Sequence, residues 1–91
     1  MKSIITDKKE CFVCRTTLNL EERHIFRGAN RNNSEKYGLK VWLCHEHHQG
    51  ATGVHGGNKW LDIMLKKIAQ NKFEERFPEH DFREIFHGNY R

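Results

Sequence analysis

Two clusters of cysteine and histidine carry the clearest chemistry in this sequence. The first is the segment Cys11-Phe-Val-Cys14, and the second is Cys44-His45-Glu46-His47-His48. A structural zinc ion takes four tetrahedral ligands, and two ligands separated by two residues can reach the same ion from one tight turn. The matched spacing predicts a structural zinc site with the ligands Cys11, Cys14, Cys44 and His47. On spacing alone, His45 or His48 could take the place of His47.

The size of the chain explains why a metal would be useful. At 91 residues it forms a single domain, and a chain this short buries only about 60 to 65 per cent of the surface that it exposes when unfolded. Hydrophobic residues make up 36% of the sequence, and the mean hydropathy is -0.88. Because zinc binding can add on the order of 10 kcal/mol or more to the free energy of folding, we expect the metal to compensate for a small core.

The cysteine count also predicts a cellular location. Three cysteines are an odd number, and no apolar run at the N-terminus resembles a signal peptide or a membrane span. Thiolates bound to a metal, rather than paired in disulfides, are typical of a reducing compartment. The sequence therefore predicts a cytoplasmic protein without a membrane partner.

Basic residues outnumber acidic residues and are concentrated in one segment. The totals are 16 Lys and Arg against 12 Asp and Glu, which give a formal net charge of +4. This excess suits a polyanionic partner such as DNA. Residues 23–40 contain a single acid, Glu35. The nucleic-acid-binding residues predicted in this segment are Arg23, Arg27, Arg31, Lys36 and Lys40. Alternatively, these side chains form a solvated loop that keeps a small protein soluble.

The N-terminal half predicts a hairpin that delivers the second ligand cluster. Residues 1–10 are polar and predict a flexible basic arm. Residues 18–26 predict a strand, which leads into a polar loop at 27–34 that is rich in turn-forming glycine and asparagine. Residues 39–43 predict a second strand that runs directly into Cys44.

The C-terminal half predicts helices. A short helix should follow Cys44 and end at the glycines of segment 50–57, because glycine interrupts regular elements. From the candidate cap Asn58, apolar residues recur every three or four positions, which predicts an amphipathic helix that ends at or before Phe77 because Pro78 follows. A last short helix is expected over 79–86. The aromatic residues of this half are predicted to form the core.

This order of elements describes an α+β fold: a small zinc-bound treble-clef finger with a C-terminal helical extension. The predicted parts are the arm 1–10, the zinc-bound core 11–57 and the C-terminal helices 58–91. The hairpin and helix of such a finger form a cleft that can hold a second metal. His24 on the strand and His48 on the helix would face each other in it.

At this point the chain resembles the HNH nucleases of the ββα-metal (His-Me finger) class, and more closely the small phage-type HNH proteins. The resemblance covers most of the sequence. It rests on the Cys11-x2-Cys14 knuckle, Leu20-Glu-Glu-Arg-His24-Ile-Phe26, the loop from Gly28 to Gly38, Leu43-Cys44-His-Glu-His-His48, Gly53-Val-His55 and the tail Phe86-His-Gly-Asn-Tyr90.

The resemblance implies hydrolysis of DNA phosphodiester bonds in a bacterial host cell, by a protein of phage or prophage origin. In the family the histidine of the first strand is the general base, and the matching residue is His24. A catalytic divalent metal (Mg²⁺, Mn²⁺ or Ni²⁺) clamps the scissile phosphate, and its ligands would be His48 and His55. One ββα unit cuts one strand, so the protein could act as a monomer or as a homodimer.

Two positions depart from the family pattern. The residue before the base is usually a metal ligand, but here it is Arg23, and an arginine cannot ligate a cation. The central asparagine of the pattern falls on Leu39. The side chains that could orient the base instead are Asn30, Asn32 and Asn33.

Arg23 favours an alternative, an HNH-like zinc module without catalysis, which binds nucleic acid or a protein partner, for example as an inhibitor of a host system. A third possibility is a purely structural zinc-finger subunit of a larger phage complex, which would have little affinity for DNA alone. Separately, His24 on an otherwise apolar strand could be a structural histidine with satisfied hydrogen bonds.

Overall fold

The protein is a small mixed α+β structure with one two-stranded sheet. The computed structural model describes residues 2–49 and 59–90. The elements in chain order are strand β1 Leu20–His24, a 3-10 turn Gly28–Asn30, helix α1 Arg31–Lys36, strand β2 Lys40–Cys44, and helices α2 His45–Gln49, α3 Lys59–Arg76 and α4 Phe82–Phe86. The predicted fold class is thus confirmed at the level of α+β.

Strands β1 and β2 form an antiparallel hairpin, and their register determines which residues pair at its two ends. Leu20 pairs with Cys44 at one end, and His24 pairs with Lys40 at the other. Because successive side chains of a strand point to opposite faces of the sheet, Glu22 and His24 share one face of β1. Glu21 and Arg23 share the other face.

The first strand is shorter than the sequence predicts, since it covers Leu20–His24 rather than 18–26. Asn19 precedes it in the left-handed region, with φ 53°, which lies outside the β region of regular strands. The Asn19 carbonyl accepts the His45 backbone N–H at 3.0 Å. This bond fixes the entry of β1 beside the start of α2. The second strand is shifted by one residue, to Lys40–Cys44.

The segment predicted as a loop at 27–34 is mostly helical, and the prediction was wrong there. Its last residue, Ser34, is fully buried in α1. The Ser34 hydroxyl donates to the Leu39 carbonyl at 2.6 Å and accepts the Phe26 backbone N–H at 3.3 Å. These bonds connect α1 to the chain on both sides of it. These contacts bury one residue of a polar segment and hold it in a helix. Local turn propensity does not predict such contacts between separate segments.

Helix α3 buries a narrower stripe than predicted. Leu65, Ala69 and Phe73 recur every fourth residue and are fully buried. Trp60 and Met64, which the pattern placed on the same face, are 72% and 37% exposed. The helix ends at Arg76, before Pro78 as predicted. The predicted cap Asn58 and the glycine-rich segment lie outside the described residues.

Helix α4 begins three residues later than predicted because Asp81 caps it. The Asp81 carboxylate accepts the backbone N–H groups of Arg83 and Glu84, at 3.0 and 3.4 Å. Such a cap satisfies the donors that a helix start leaves unpaired. The expected range 79–86 thus shortens to Phe82–Phe86.

Aromatic residues of the C-terminal half contribute to the core as predicted, namely Phe73, Phe82 and Phe86, although Trp60 is exposed. Phe26, next to β1, packs on Phe86 of α4 with ring centroids 4.7 Å apart. Phe73 of α3 contacts Phe82 edge to face at 5.4 Å. The C-terminal helices are therefore joined to the hairpin by ring contacts.

The N-terminal segment, which the sequence predicts to be a flexible arm, makes defined contacts from Ser3 onward. Ser3 Oγ donates to the Lys40 carbonyl at 2.6 Å, and the Ile4 N–H donates to the Gly38 carbonyl at 3.0 Å. Ile4 and Ile5 pack against the core. Among the described residues, no helix is both long and apolar enough to cross a bilayer.

Candidate functional site

The first ligand turn is built by backbone hydrogen bonds around Cys11. The Arg15 N–H donates to the Cys11 carbonyl at 2.8 Å, and the Cys11 N–H donates to the Thr16 carbonyl at 2.8 Å. Arg15 closes the turn in the left-handed region, with φ 66°. The Phe12 N–H donates to the Trp42 carbonyl at 2.9 Å, which attaches the turn to strand β2.

The second ligand pair follows from a change of element. Cys44 is the last residue of β2, and His47 lies in the helix that starts immediately after it. One helical turn brings residues three apart to the same side. Cys44 Sγ and His47 Nδ1 are accordingly 3.2 Å apart.

The four predicted zinc ligands meet at one point. The ligand atoms of Cys11, Cys14, Cys44 and His47 all lie within 4.8 Å of one another. Cys14 Sγ and Cys44 Sγ are 3.7 Å apart, as are Cys11 Sγ and His47 Nδ1. With Zn–S bonds of about 2.3 Å, tetrahedral coordination requires sulfur atoms about 3.8 Å apart. The residues therefore fit a structural zinc ion.

The electrostatics of the thiols support the same interpretation. Burial raises the pKa of the Cys11 thiol, but hydrogen bonds from the backbone of Cys14, Cys44 and Val13 outweigh it and lower the pKa to about 6. The pKa of Cys44 is raised, first by burial and then by the adjacent thiols. The Cys11 thiolate therefore forms readily, whereas a thiolate at Cys44 is opposed. A bound cation would remove that opposition.

The structure also distinguishes His47 from its neighbours. His45 Nδ1 and His48 Nδ1 lie 3.0 and 2.8 Å from the carboxylate of Glu21, one on each oxygen. Gln49 Nε2 donates to the same carboxylate at 2.9 Å. These hydrogen bonds, first that from His45, lower the pKa of Glu21 to about 2. Glu21 thus engages the two histidines that the zinc group leaves out.

His24 belongs to a second group of polar side chains, which we call the histidine cluster: Glu22, His24, Glu35 and Lys40. His24 Nε2 lies 3.1 Å from Glu35 Oε1 and 3.6 Å from Glu22 Oε1. The Lys40 ammonium contacts the other oxygen of Glu35 and lies 3.6 Å from Glu22 Oε1. His24 is 9% exposed and Lys40 4%, so both nitrogen-bearing chains are buried beneath the carboxylates.

The charge of Lys40 determines what this cluster can hold. Glu22, His24 and Glu35 offer ligand atoms within 4.8 Å of one another, but the Lys40 ammonium lies within ion-pair distance of both carboxylates and already offsets one of their two negative charges. Its hydrogen bond is the main reason that the pKa of Glu35 is lowered to about 2, with the His24 hydrogen bond second. The cluster is therefore an ion-paired hydrogen-bond network.

Two of the five residues predicted to contact nucleic acid are buried, which corrects that prediction. Arg23 is 5% exposed and its Nη2 lies 3.1 Å from Asp62 Oδ1 on α3. Lys40 is held in the histidine cluster. A side chain buried in an ion pair does not reach a phosphate. Exposed residues of the predicted set are Arg27, Arg31 and Lys36.

The two histidines predicted to face each other contact opposite faces of β1. His24 contacts Glu22 on its own face, whereas His48 contacts Glu21 on the other. The expected cleft with both imidazoles on one ion therefore differs from the observed arrangement. His55, the other predicted metal ligand, lies outside the described residues.

The asparagines considered for orienting the base have other contacts. Asn30 Nδ2 donates to the Phe86 carbonyl at 2.9 Å, and Asn33 Nδ2 to the Ile85 carbonyl at 3.4 Å. Both secure helix α4. Asn32 is exposed.

Sequence reasoning missed the carboxylates that surround the histidines, Glu21, Glu22 and Glu35. One signal was present, since Glu35 is the single acid in the basic segment 23–40. Its pairing with His24 depends on helix α1, which the sequence did not predict.

Comparisons with protein-family models, curated proteins and solved structures gave no significant match, so the resemblance to HNH nucleases remains a prediction.

Proposed function

We propose that this protein is a metal-dependent DNA endonuclease of the HNH type, built on a zinc-bound treble-clef scaffold. One observation carries the proposal beyond motif spacing: His24, the residue that matches the family's general base, is held by a carboxylate at 3.1 Å. An imidazole fixed by a carboxylate is a common arrangement for proton transfer. The enzyme would act in the cytoplasm of a bacterial host.

In this proposal His24 accepts a proton from the water that attacks the scissile phosphate. Imidazole suits this task because its neutral form accepts a proton at physiological pH. The hairpin would hold His24 in place. Lys40 pairs with His24 at one end of the hairpin, and the proposed zinc ion would fix the other end, where β2 ends at Cys44.

The second metal requires a different ligand set from the one that the family pattern implies. Arg23 cannot bind a cation, but Glu21 lies on the same face of β1 and contacts His48 at 2.8 Å. Glu21 and His48 would hold a divalent ion on that face, which is opposite to the face of His24. When bound, such an ion would act as a Lewis acid toward an oxygen of a flanking phosphate and so hold the DNA, rather than toward the phosphate that His24 serves.

DNA would bind through the exposed basic residues of the segment after β1. Arg27, Arg31 and Lys36 are exposed, and guanidinium and ammonium groups bind phosphates without reading sequence. The proposed partner is therefore DNA, recognised mainly through its backbone.

Plasmid nicking tests this function. Purified zinc-loaded protein is incubated with supercoiled plasmid and Mg²⁺, Mn²⁺ or Ni²⁺, beside His24→Ala and the exposed control His80→Ala at equal zinc content. Nicking that needs a divalent ion, persists in His80→Ala and falls by about 100-fold or more in His24→Ala is expected for a general base. Equal nicking by wild type and His24→Ala would exclude the assigned role.

A second candidate is a nucleic-acid-binding zinc module without catalysis. The buried Arg23–Asp62 pair favours it, because a structural ion pair stands where the family has a metal ligand. Arg23→His separates the two functions. Increased nicking would indicate a weakened enzyme, whereas unchanged DNA binding without nicking in either protein would indicate the module.

A further inference from the structure

We infer that Glu35, itself held by Lys40, is a positioning residue that fixes the ring and the proton of His24. This inference rests on the proposed nuclease function. It concerns residues of α1 and β2 that no motif identifies.

Two carboxylates approach the ring of His24. Glu35 approaches from helix α1 with Oε1 3.1 Å from Nε2, and Glu22 approaches along β1 at 3.6 Å. Lys40 lies opposite on β2. The distance to Glu35 is that of a hydrogen bond and the distance to Glu22 is longer. Glu35 is therefore the partner of His24, and Glu22 contributes charge.

Lys40 determines which oxygen of Glu35 faces His24. Its ammonium contacts Oε2, so Oε1 remains for the imidazole. Lys40 is 4% exposed, and an ammonium buried to that degree needs a carboxylate partner. The Lys40–Glu35 pair thereby also connects α1 to the hairpin.

The charge of Glu35 determines where the imidazole proton lies. Glu35 is ionised at neutral pH because the Lys40 hydrogen bond, followed by that of His24, lowers its pKa to about 2. An ionised carboxylate only accepts hydrogen bonds. The proton of neutral His24 is therefore on Nε2, and Nδ1 carries the lone pair that can accept a proton from water.

The substitution Glu35→Gln tests this arrangement with little change in shape. The Lys40 ammonium only donates, so it takes the amide oxygen and turns the NH₂ group toward His24 Nε2. That nitrogen must then accept, and the ring proton moves to Nδ1. The nitrogen that should activate water would carry the proton instead.

The experiment has two readouts on full-length zinc-loaded protein. ¹⁵N NMR of the His24 ring reports the protonated nitrogen and does not depend on activity. Plasmid nicking under saturating divalent ion reports kcat and KM. The matched control is Glu75→Gln, an exposed position on α3. Zinc content and circular dichroism verify the fold of each variant.

We expect Nε2–H in the wild type and in Glu75→Gln, and Nδ1–H in Glu35→Gln. We also expect kcat of Glu35→Gln to fall about 100-fold or more with KM within about twofold, because a reversed tautomer disables proton transfer but not substrate binding. A wild-type ring with Nδ1–H, or an unchanged tautomer in Glu35→Gln, would overturn the inference. So would an unchanged kcat in this variant when wild type nicks DNA. A wild type that does not nick would overturn the nuclease instead, and the tautomer would still decide whether Glu35 positions His24.

Discussion

The two ends of the hairpin hold their polar side chains in different ways. At the zinc end, where Leu20 pairs with Cys44, the ligand set comes from two short segments in which the ligands are three positions apart. At the histidine end, where His24 pairs with Lys40, the side chains come from β1, α1 and β2. With a strand rise of about 3.3 Å per residue, the ends are about 13 Å apart.

This difference indicates a division of tasks along one hairpin. A zinc ion at the first end would form coordination bonds, which concentrate a large free energy in four side chains. The histidine end depends on hydrogen bonds and ion pairs at a half-exposed carboxylate, each of which contributes little to stability. We expect the first end to determine whether the chain folds, and the second to determine what His24 does.

The largest effect is expected from His47→Ala. Losing a ligand should release zinc, and because zinc contributes on the order of 10 kcal/mol, comparable with the whole stability of a small domain, the chain should unfold. Zinc content by mass spectrometry and far-ultraviolet circular dichroism measure this. His45→Ala is the control, because His45 contacts Glu21 and should leave zinc bound. Zinc loss in His45→Ala with retention in His47→Ala would reverse the ligand assignment.

A smaller effect is expected from Ser34→Ala, near the histidine end. It leaves the Phe26 N–H without the hydroxyl that accepts it, and an unpaired buried donor costs about 1 to 3 kcal/mol. Urea unfolding should show this loss while the zinc content stays unchanged. The exposed Thr17→Ala is the control and should unfold as the wild type does. Zinc release by Ser34→Ala would mean that the two ends are not independent.

The exposed basic residues of segment 23–40 should each contribute a phosphate contact to DNA binding. The logarithm of the DNA association constant falls linearly with the logarithm of salt concentration. Arg31→Ala and Lys36→Ala should each make this negative slope shallower by about 0.9, the value for one lost phosphate contact. Fluorescence anisotropy with a duplex between low and moderate salt measures the slope. Lys67→Ala on the exposed side of α3 is the control. Equal slopes in all variants would place the DNA on another surface.

The smallest effect is the pH dependence of Glu35. Its pKa lies at about 2 in the folded protein, below the ordinary value of 4.5. A lowered pKa gives a stabilising contribution that is complete above pH 4.5 and is lost as the pH falls toward 2. The difference in urea midpoint between wild type and Glu35→Gln should therefore be constant from neutral pH to about 4.5 and narrow below it, for as long as zinc stays bound.

Lys40→Met provides the control for this measurement. Because Lys40 is the first cause of the lowered pKa, Glu35→Gln should have a smaller effect in that background, in a double-mutant cycle. An equally large effect without Lys40 would show that another group stabilises the carboxylate.

The sequence by itself identified Cys11, Cys14 and Cys44 as candidate zinc ligands and predicted the course of the hairpin, because these depend on neighbours in the chain, whereas the structure selected His47 among the three histidines that follow Cys44. Cys11 and Cys14 lie on one tight turn, and the step from β2 into α2 places His47 beside Cys44. The end of α3 before Pro78 depends on local sequence, and the aromatic part of the core depends on composition, so the sequence predicts both. Short-range backbone geometry allows only a few conformations for such local patterns, which is why they can be predicted from sequence.

Only the tertiary structure decided which charges meet. Glu35 reaches His24 because the hydrogen bonds of Ser34 hold helix α1 against the chain between the strands. Arg23 is buried in an ion pair with Asp62 of α3. A charged side chain in a sequence carries no record of whether it will be buried or face water, because its burial is tolerated only where a distant segment supplies a partner of opposite charge. For that reason the basic segment predicted five phosphate contacts, whereas two of its members stabilise the fold.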